Sequence, residues 1–165
     1  MISILLLTLN GGDRLRECLR AIRAQQGAPP YEILAIDSGS TDQTVATLHA
    51  FADRVQSIPP EAFGHGRTRN LAARAAAGEW LVFLSQDAVP ASPDWLANLT
   101  RPLEALDVAA SFGRQLPPDD VGPIETFFLN FTYPPHPFEQ SRLRQVDGGI
   151  GRIFFSNVNA AIRKS

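Results

Sequence analysis

The sequence predicts an α/β fold, a mixed and mostly parallel sheet flanked by helices. Short apolar runs alternate with segments of helical periodicity from the N-terminus onward. The runs are apolar throughout rather than at every second residue, as befits strands buried on both faces. Three of them end in polar turn residues, the arrangement of strands whose carboxyl ends open on a ligand crevice.

Taken in order, Ile2 to Leu7 is the first strand, ending in Thr8-Leu9-Asn10-Gly11-Gly12. Asp13 is placed to cap the next helix, in which Leu15, Cys18, Leu19 and Ile22 form an apolar stripe at i, i+3, i+4, i+7. Cys18 on that stripe reads as a small core residue. Glu32 to Ile36 is a second strand, ending at Asp37-Ser38-Gly39-Ser40-Thr41-Asp42, and Val45, Leu48 and Ala52 are expected inward from the helix after it. Arg54 to Ile58 is a weaker third strand closed by Pro59-Pro60. Phe63-Gly64-His65-Gly66 leads into an Ala-rich helix over Arg67 to Ala77, stopped by Gly78. Trp80 to Leu84 is the next buried strand, ending in Ser85-Gln86-Asp87-Ala88. Trp95, Leu96 and Leu99 mark a further helix, and Val108 to Phe112 a further strand. Residues 117–138 hold six of the thirteen prolines and the stretch Phe127 to Tyr133; they read as a loop, a short helix and another loop, with the aromatics either in the core or forming a surface for lipid or membrane. Gly148-Gly149-Ile150-Gly151 reads as a turn.

The chain of 165 residues suits one domain over 1–165. With 15 Lys+Arg against 17 Asp+Glu the net charge is −2, which argues against a nucleic-acid binder that relies on broad phosphate neutralisation. A lone Cys18 leaves no disulfide framework within the chain and points to a reducing, cytoplasmic setting. No apolar run approaches the roughly 20 residues of a membrane span, and the apolar N-terminus lacks the basic leader and cleavage site of a signal peptide.

Candidate chemistry collects at the three strand ends: Thr8 and Asn10, Asp37 to Asp42, and Ser85 to Asp87. Either Asp37 or Asp87 alone could simply cap a turn or helix; together on one rim the ends favour a shared site. The sequence carries neither a Gly-x-Gly-x-x-Gly after the first strand nor a Gly-x-x-x-x-Gly-Lys-Ser/Thr, so neither a dinucleotide fingerprint nor a phosphate loop is supported, and a dehydrogenase fragment is disfavoured. One Cys and three scattered His exclude a metal site built from those residues. A carboxylate site for a hard cation, completed by phosphate oxygens, stays open.

Thr8-Leu9-Asn10, Asp37-Ser38-Gly39-Ser40-Thr41-Asp42 and Phe83-Leu84-Ser85-Gln86-Asp87-Ala88, in this order and spacing, resemble family 2 glycosyltransferases of the GT-A fold. Phe63-Gly64-His65-Gly66-Arg67-Thr68-Arg69-Asn70 and Phe112-Gly113-Arg114-Gln115-Leu116-Pro117 look most like the rhamnosyltransferase branch, which uses dTDP-rhamnose. The resemblance implies an inverting, metal-dependent transfer of a sugar from a dTDP- or UDP-sugar to a saccharide or lipid-linked acceptor, in surface polysaccharide assembly. It implies donor binding by Thr8, Asn10, Asp37, Ser38, Asp42, His65, Arg67, Arg69, Asn70 and Gln86, and Mg²⁺ or Mn²⁺ held by Asp87 together with the nucleotide diphosphate.

Two departures stand out. Ser38 occupies the place of a second Asp, and Ser85 that of the first Asp of the Asp-x-Asp metal signature. The family's general base lies after the segment that matches Phe155 to Arg163, and is therefore expected beyond Ser165. The chain is accordingly expected to be the C-terminally incomplete, donor-binding part of a longer enzyme, with no catalytic residue assigned; Glu125, Glu139 and Asp147 are the late carboxylates within reach. The competing expectation is a non-catalytic nucleotide-binding or interaction domain that keeps the fold without the base. The resemblance also allows peripheral association with the inner face of the membrane, and self-association through Phe127 to Tyr133.

Overall fold

The computed structural model describes residues 1–118, 121–140 and 154–164. The expected turn at Gly148 to Gly151, the carboxylate Asp147 and the terminal Ser165, beyond which the general base is expected, lie outside the described residues. β1 (Ile2–Thr8) is buried at six of its seven positions, and it sits inside a six-stranded sheet of order β3-β2-β1-β4-β6-β5. β2 (Tyr31–Asp37) and β4 (Trp80–Ser85) flank it in parallel, and β3 (Arg54–Ser57) adds to β2 in parallel. β6 (Asn159–Arg163) runs antiparallel to both β4 and β5 (Ala110–Phe112). The sheet is therefore mixed and mostly parallel, as the apolar runs predict.

Alternation along β1 distributes two cores. Ile2, Ile4 and Leu6 face a layer made by α1 (Gly12–Arg23), α2 (Thr44–Phe51), α4 (Trp95–Thr100) and a 3₁₀ turn at Arg101–Glu104. Leu5 faces the other side, where Ala72 of α3 (His65–Ala75) and Ala76 cover the sheet. Leu15, Cys18, Leu19 and Ile22 of α1 are all fully buried, and each of the aliphatic three is worth about 1.5–3 kcal/mol of transfer free energy. The small residues of α3 let it lie close to the sheet. At its end Gly78 is required: a Cβ there would stand 2.6 Å from the Ser3 backbone nitrogen, and the Gly78 N–H donates to Ser3 Oγ at 2.8 Å.

Several boundaries differ from the sequence expectations. α1 takes no side-chain cap from Asp13, which lies in its first turn. Its free N–H groups are satisfied across the rim instead, Gly11 donating to Thr44 Oγ1 at 2.7 Å and Gly12 to Asp42 Oδ2 at 3.2 Å. In α2 the inward positions are Thr44, Thr47 and Leu48, while Val45 is only half-buried. Thr47 and Leu48 lie three and four residues after Thr44, so the three share the buried face of α2. α3 begins at His65, two residues before Arg67, and ends at Ala75. The strand expected from Val108 starts at Ala110, because Val108 donates to the Ala105 carbonyl in a turn. β6 was not foreseen as a strand. α5 (Pro123–Thr132) is the short helix expected in 117–138. Its aromatics do not enter the core: Phe127, Phe128 and Phe131 are exposed, and within Phe127 to Tyr133 only Tyr133 is buried. Among the described residues no helix is long and apolar enough to cross a membrane.

Candidate functional site

The chain leaves β1 for β2 and β3 on one side, then returns to β4 on the other. Strand order reverses at the β1–β4 pair, where connecting segments diverge and a crevice opens beyond the carboxyl ends. A cleft of about 540 Å³ lies there, within the size range of small-molecule sites. Its polar lining comes from Thr8, Ser38, His65, Arg69, Ser85, Gln86, Asp87 and Asn157, and its apolar walls include Leu9, Phe63 and Phe83.

The β1–β2 rim is built around Asp37. This carboxylate is 1% exposed, and four donors converge on it. Thr8 Oγ1 donates to Oδ1 at 3.2 Å and Ser40 Oγ at 2.5 Å, while the Gly39 and Ser40 N–H groups donate to Oδ2 at 3.1 and 2.9 Å. An Asp closing a turn onto its own next residues is a common device; here it also ties the turn to β1. Ser38 donates through Oγ and through its N–H to the Thr8 carbonyl, both at 3.0 Å. Asn10 takes a positive φ of 47°, a conformation its short polar side chain tolerates. Its N–H donates to Ser40 Oγ at 2.8 Å, and its Oδ1 accepts the Thr41 N–H at 2.9 Å.

On the β4 side, Arg69 reaches from α3 across the sheet. Its guanidinium lies 5.5 Å from the Phe83 ring centroid and donates to the Asn157 carbonyl at 3.1 Å. Burial pushes its pKa below the ordinary arginine range. No carboxylate is paired with it among the described residues, so it brings an uncompensated positive charge to the cleft. Asp87 is exposed and is the one carboxylate among the described lining residues. Ser85 and Gln86 complete the turn, in which the Ala88 N–H donates to the Ser85 carbonyl at 3.0 Å.

The fold thus brings Thr8, Ser38, His65, Arg69, Gln86 and Asp87 to one cleft. Asp37 lies beneath them with its oxygens turned inward. Asn10 and Asp42 serve the loops: Thr44 and Gly12 donate to the Asp42 carboxylate and hold its pKa below the usual range. Arg67 and Asn70 are exposed and stand outside the lining, Arg67 donating to the Phe63 carbonyl one turn back. At about 100° per residue Arg67 and Asn70 lie on other faces of α3 than Arg69, which meets Phe83. Sequence reasoning missed Phe83 as the platform for Arg69, Asn157 as its acceptor, and Arg14, whose Nε donates to the Asp87 carbonyl at 3.3 Å. Phe83 sits between two buried residues of β4 and opens the Phe83 to Ala88 segment, where it reads as one more apolar strand residue. No cluster of three His, Cys, Asp or Glu side chains able to hold a metal ion occurs among the described residues.

A family model described as glycosyl transferase family 2 matches residues 3–165. O-antigen chain rhamnosyltransferase RfbN of Salmonella typhimurium is 36% identical over 166 residues, covering 99% of this chain and 52% of its own length. The chain therefore spans about half the length of this curated relative. Among solved structures, a mannosyltransferase from Pyrobaculum calidifontis in complex with GDP-Man and Mn²⁺ matches 98% of this chain and 44% of its own, with TM-score 0.67 and 22% identity; the likeness shows a GT-A-type fold. Glucosyl-3-phosphoglycerate synthase from Mycobacterium tuberculosis, solved with Mn²⁺, UDP and glucosyl-3-phosphoglycerate, matches 67% of this chain and 42% of its own at TM-score 0.57 and 25% identity.

Proposed function

Because the chain belongs to glycosyl transferase family 2, we propose that its cleft binds the nucleotide-sugar donor of an inverting transferase that moves rhamnose from dTDP-rhamnose to a saccharide or lipid-linked acceptor. One observation carries the reading. A half-buried Arg69 and an exposed Asp87, neither ion-paired among the described residues, line the same 540 Å³ cleft. That combination suits a nucleoside diphosphate: the guanidinium would meet phosphate oxygens directly, and the carboxylate would help hold a divalent cation accompanying them.

The donor set fits Mg²⁺ or Mn²⁺ only in partnership with the nucleotide. Asp87 supplies one hard oxygen and the Ser85 hydroxyl stands two residues away, whereas such ions fill their remaining positions from phosphates and water. Held there, the cation supplies charge stabilisation to the departing diphosphate. The chain's own residues do the rest on this reading. Leu9, Phe63 and Phe83 wall the cleft with apolar surface, and Arg69 neutralises the diphosphate. Ser38, already donating to Thr8, offers an uncharged oxygen at the nucleoside end. The acceptor hydroxyl attacks the anomeric carbon opposite the leaving group, and a general base takes its proton. No described residue is assigned that role; the reading looks for the base in a segment corresponding to the half of the relative that this chain does not match. The reading carries a cytoplasmic setting, which the free thiol of Cys18 suits. The second reading, a nucleotide-binding module without turnover, is favoured by Ser85 standing in place of a carboxylate.

Calorimetric titration with dTDP, UDP, GDP and NAD, each with and without Mn²⁺, tests the site. We expect dTDP or UDP to bind, more tightly with Mn²⁺. Asp87→Ala is expected to remove that enhancement, weakening binding in Mn²⁺ about tenfold or more, the equivalent of about 1.4 kcal/mol. Silence across the panel from a folded sample overturns the donor-site reading, and turnover by a full-length protein separates transferase from binding module.

A further inference from the structure

Gln86 stands at the mouth of the cleft, yet its amide is spent on the protein itself. The Leu9 N–H donates to Oε1 at 3.0 Å, and Nε2 donates to the Leu9 carbonyl at 3.1 Å. A backbone N–H can only meet an oxygen and a carbonyl only an N–H, so the two bonds fix which end of the amide is which. The parallel pairing of β1 with β4 ends at Leu7 and Ser85. The side chain of Gln86 extends it by one step, standing in for a peptide group where the two backbones part. A Cβ at Gly11 would crowd Leu15 Cβ at 2.8 Å and Oε1 at 3.1 Å, so the glycine lets α1 and the amide lie close together. The same turn is fastened twice more: Arg14 Nε donates to the Asp87 carbonyl at 3.3 Å, and the Ser85 N–H donates to the Val158 carbonyl at 2.9 Å.

We propose that Gln86 and Arg14 are positioning residues that lock the Ser85–Ala88 turn to β1 and α1, so that the single carboxylate of Asp87 is aimed at the cation carried by a nucleoside diphosphate. The proposal rests on the donor-site reading above. Its logic is preorganisation. With Ser85 in place of a second carboxylate, one ligand must serve, and a turn free to swing would spend part of each binding event on ordering that ligand. Residues that orient a ligating group without touching the metal commonly govern its affinity by 10–100-fold. The lock also joins the two rims, because Leu9 precedes Asn10, which holds Ser40 and Thr41 of the β2–α2 turn.

The test uses Gln86→Met, which keeps the side-chain length and removes both bonds. Gln86→Glu keeps the acceptor for the Leu9 N–H and loses the donor to the Leu9 carbonyl. Thermal melts establish that each is folded. There are two readouts: hydrogen exchange at the Leu9 amide without ligand, and UDP and dTDP affinity with and without Mn²⁺. We expect Leu9 exchange in Gln86→Met to accelerate several-fold. The Mn²⁺ enhancement of binding should fall about tenfold or more, while metal-free affinity stays within about twofold of wild type. Arg14→Met should lower the enhancement in the same selective way. An unchanged enhancement in a folded Gln86→Met protein overturns the proposal. So does an equal loss with and without metal, which would make Gln86 a direct nucleotide contact. If the wild-type chain binds neither nucleotide, the donor-site reading fails and takes the purpose of the lock with it, whereas Leu9 exchange reports the lock on its own.

Discussion

Asp37 and Asp87 look alike in the sequence, each a carboxylate at the end of a buried strand, and the fold treats them oppositely. Asp37 is enclosed by four donors, and Asp87 is left open to the cleft. The difference comes from the turn after each strand. Gly39 and Ser40 curl back and offer donors to Asp37, whereas the turn after β4 is closed by the Gln86 amide and leaves its carboxylate free. The motif spacing announced both residues, but only the three-dimensional course of the turns buries one carboxylate in the architecture and leaves the other facing the cleft. Cys18 was legible outright, because its place on the α1 stripe put it in the core. Burial, with the Asp87 carboxylate adding to it and Arg14 opposing, pushes its thiol up to about 12. It therefore stays protonated and unreactive near neutrality. A chromogenic thiol reagent should label it in denaturant and leave it unlabelled in the native protein; rapid labelling of the native state would contradict this burial.

Elements were legible in proportion to how local their causes are. β1, β2, β4 and α1 declare themselves through continuous apolar runs or a clean stripe. β6 does not: Asn159-Ala160-Ala161-Ile162-Arg163 has poor strand formers at its centre, and its existence depends on β4, whose paired residues lie 75 to 83 positions earlier. Two carboxylates hold β2 to its surroundings. Glu32 accepts from Ser3 Oγ at 2.5 Å and from the Ala77 N–H at 2.8 Å. Asp53 accepts from the Ile33 N–H at 2.7 Å and pairs with Arg23 at 2.9 Å. Burial works to raise both pKa values, and these donors outweigh it, leaving each below its ordinary value of 4.5 or 3.8. A depressed native pKa means that the stability is present above the unfolded value and is lost as pH falls through the native one. Melting temperature should accordingly drop as pH is lowered below about 4.5. Glu32→Gln should cost about 1–2 kcal/mol at pH 7 and flatten that acid limb. A melting temperature independent of pH between 5 and 3, in buffers spanning roughly that range, would contradict the assignment.

For the molecule as a whole, composition and spacing foretold the sheet's parallel half and the end of the sheet at which the cleft opens, because both derive from strand order. They left α5 open between core packing and an exposed surface, and the fold takes the second. Ile124, Phe127, Phe128 and Phe131 recur at helical spacing and are 74%, 63%, 60% and 76% exposed, the reverse of an ordinary amphipathic helix. A contiguous apolar face of this kind marks an association surface. We expect the 165-residue chain to gain mass with concentration in light scattering, and Phe127→Asp with Phe131→Asp to suppress that gain with little change in melting temperature. A constant monomer mass over a hundredfold concentration range, a span of about 2.7 kcal/mol in association free energy, would argue against it.

The sheet's order also sets a timetable for its assembly. β4 is made early, and its inner edge pairs with β1 at once, but its outer edge is covered by β6, the last strand of the described chain. Ribosomes add about 5–20 residues per second, so that edge waits on the order of ten seconds during synthesis with its backbone donors and acceptors open. An unpaired strand edge is a template for the wrong partner. The nascent protein should therefore be most vulnerable to misassociation, and most dependent on chaperones, in the interval between the emergence of Ser85 and that of Arg163.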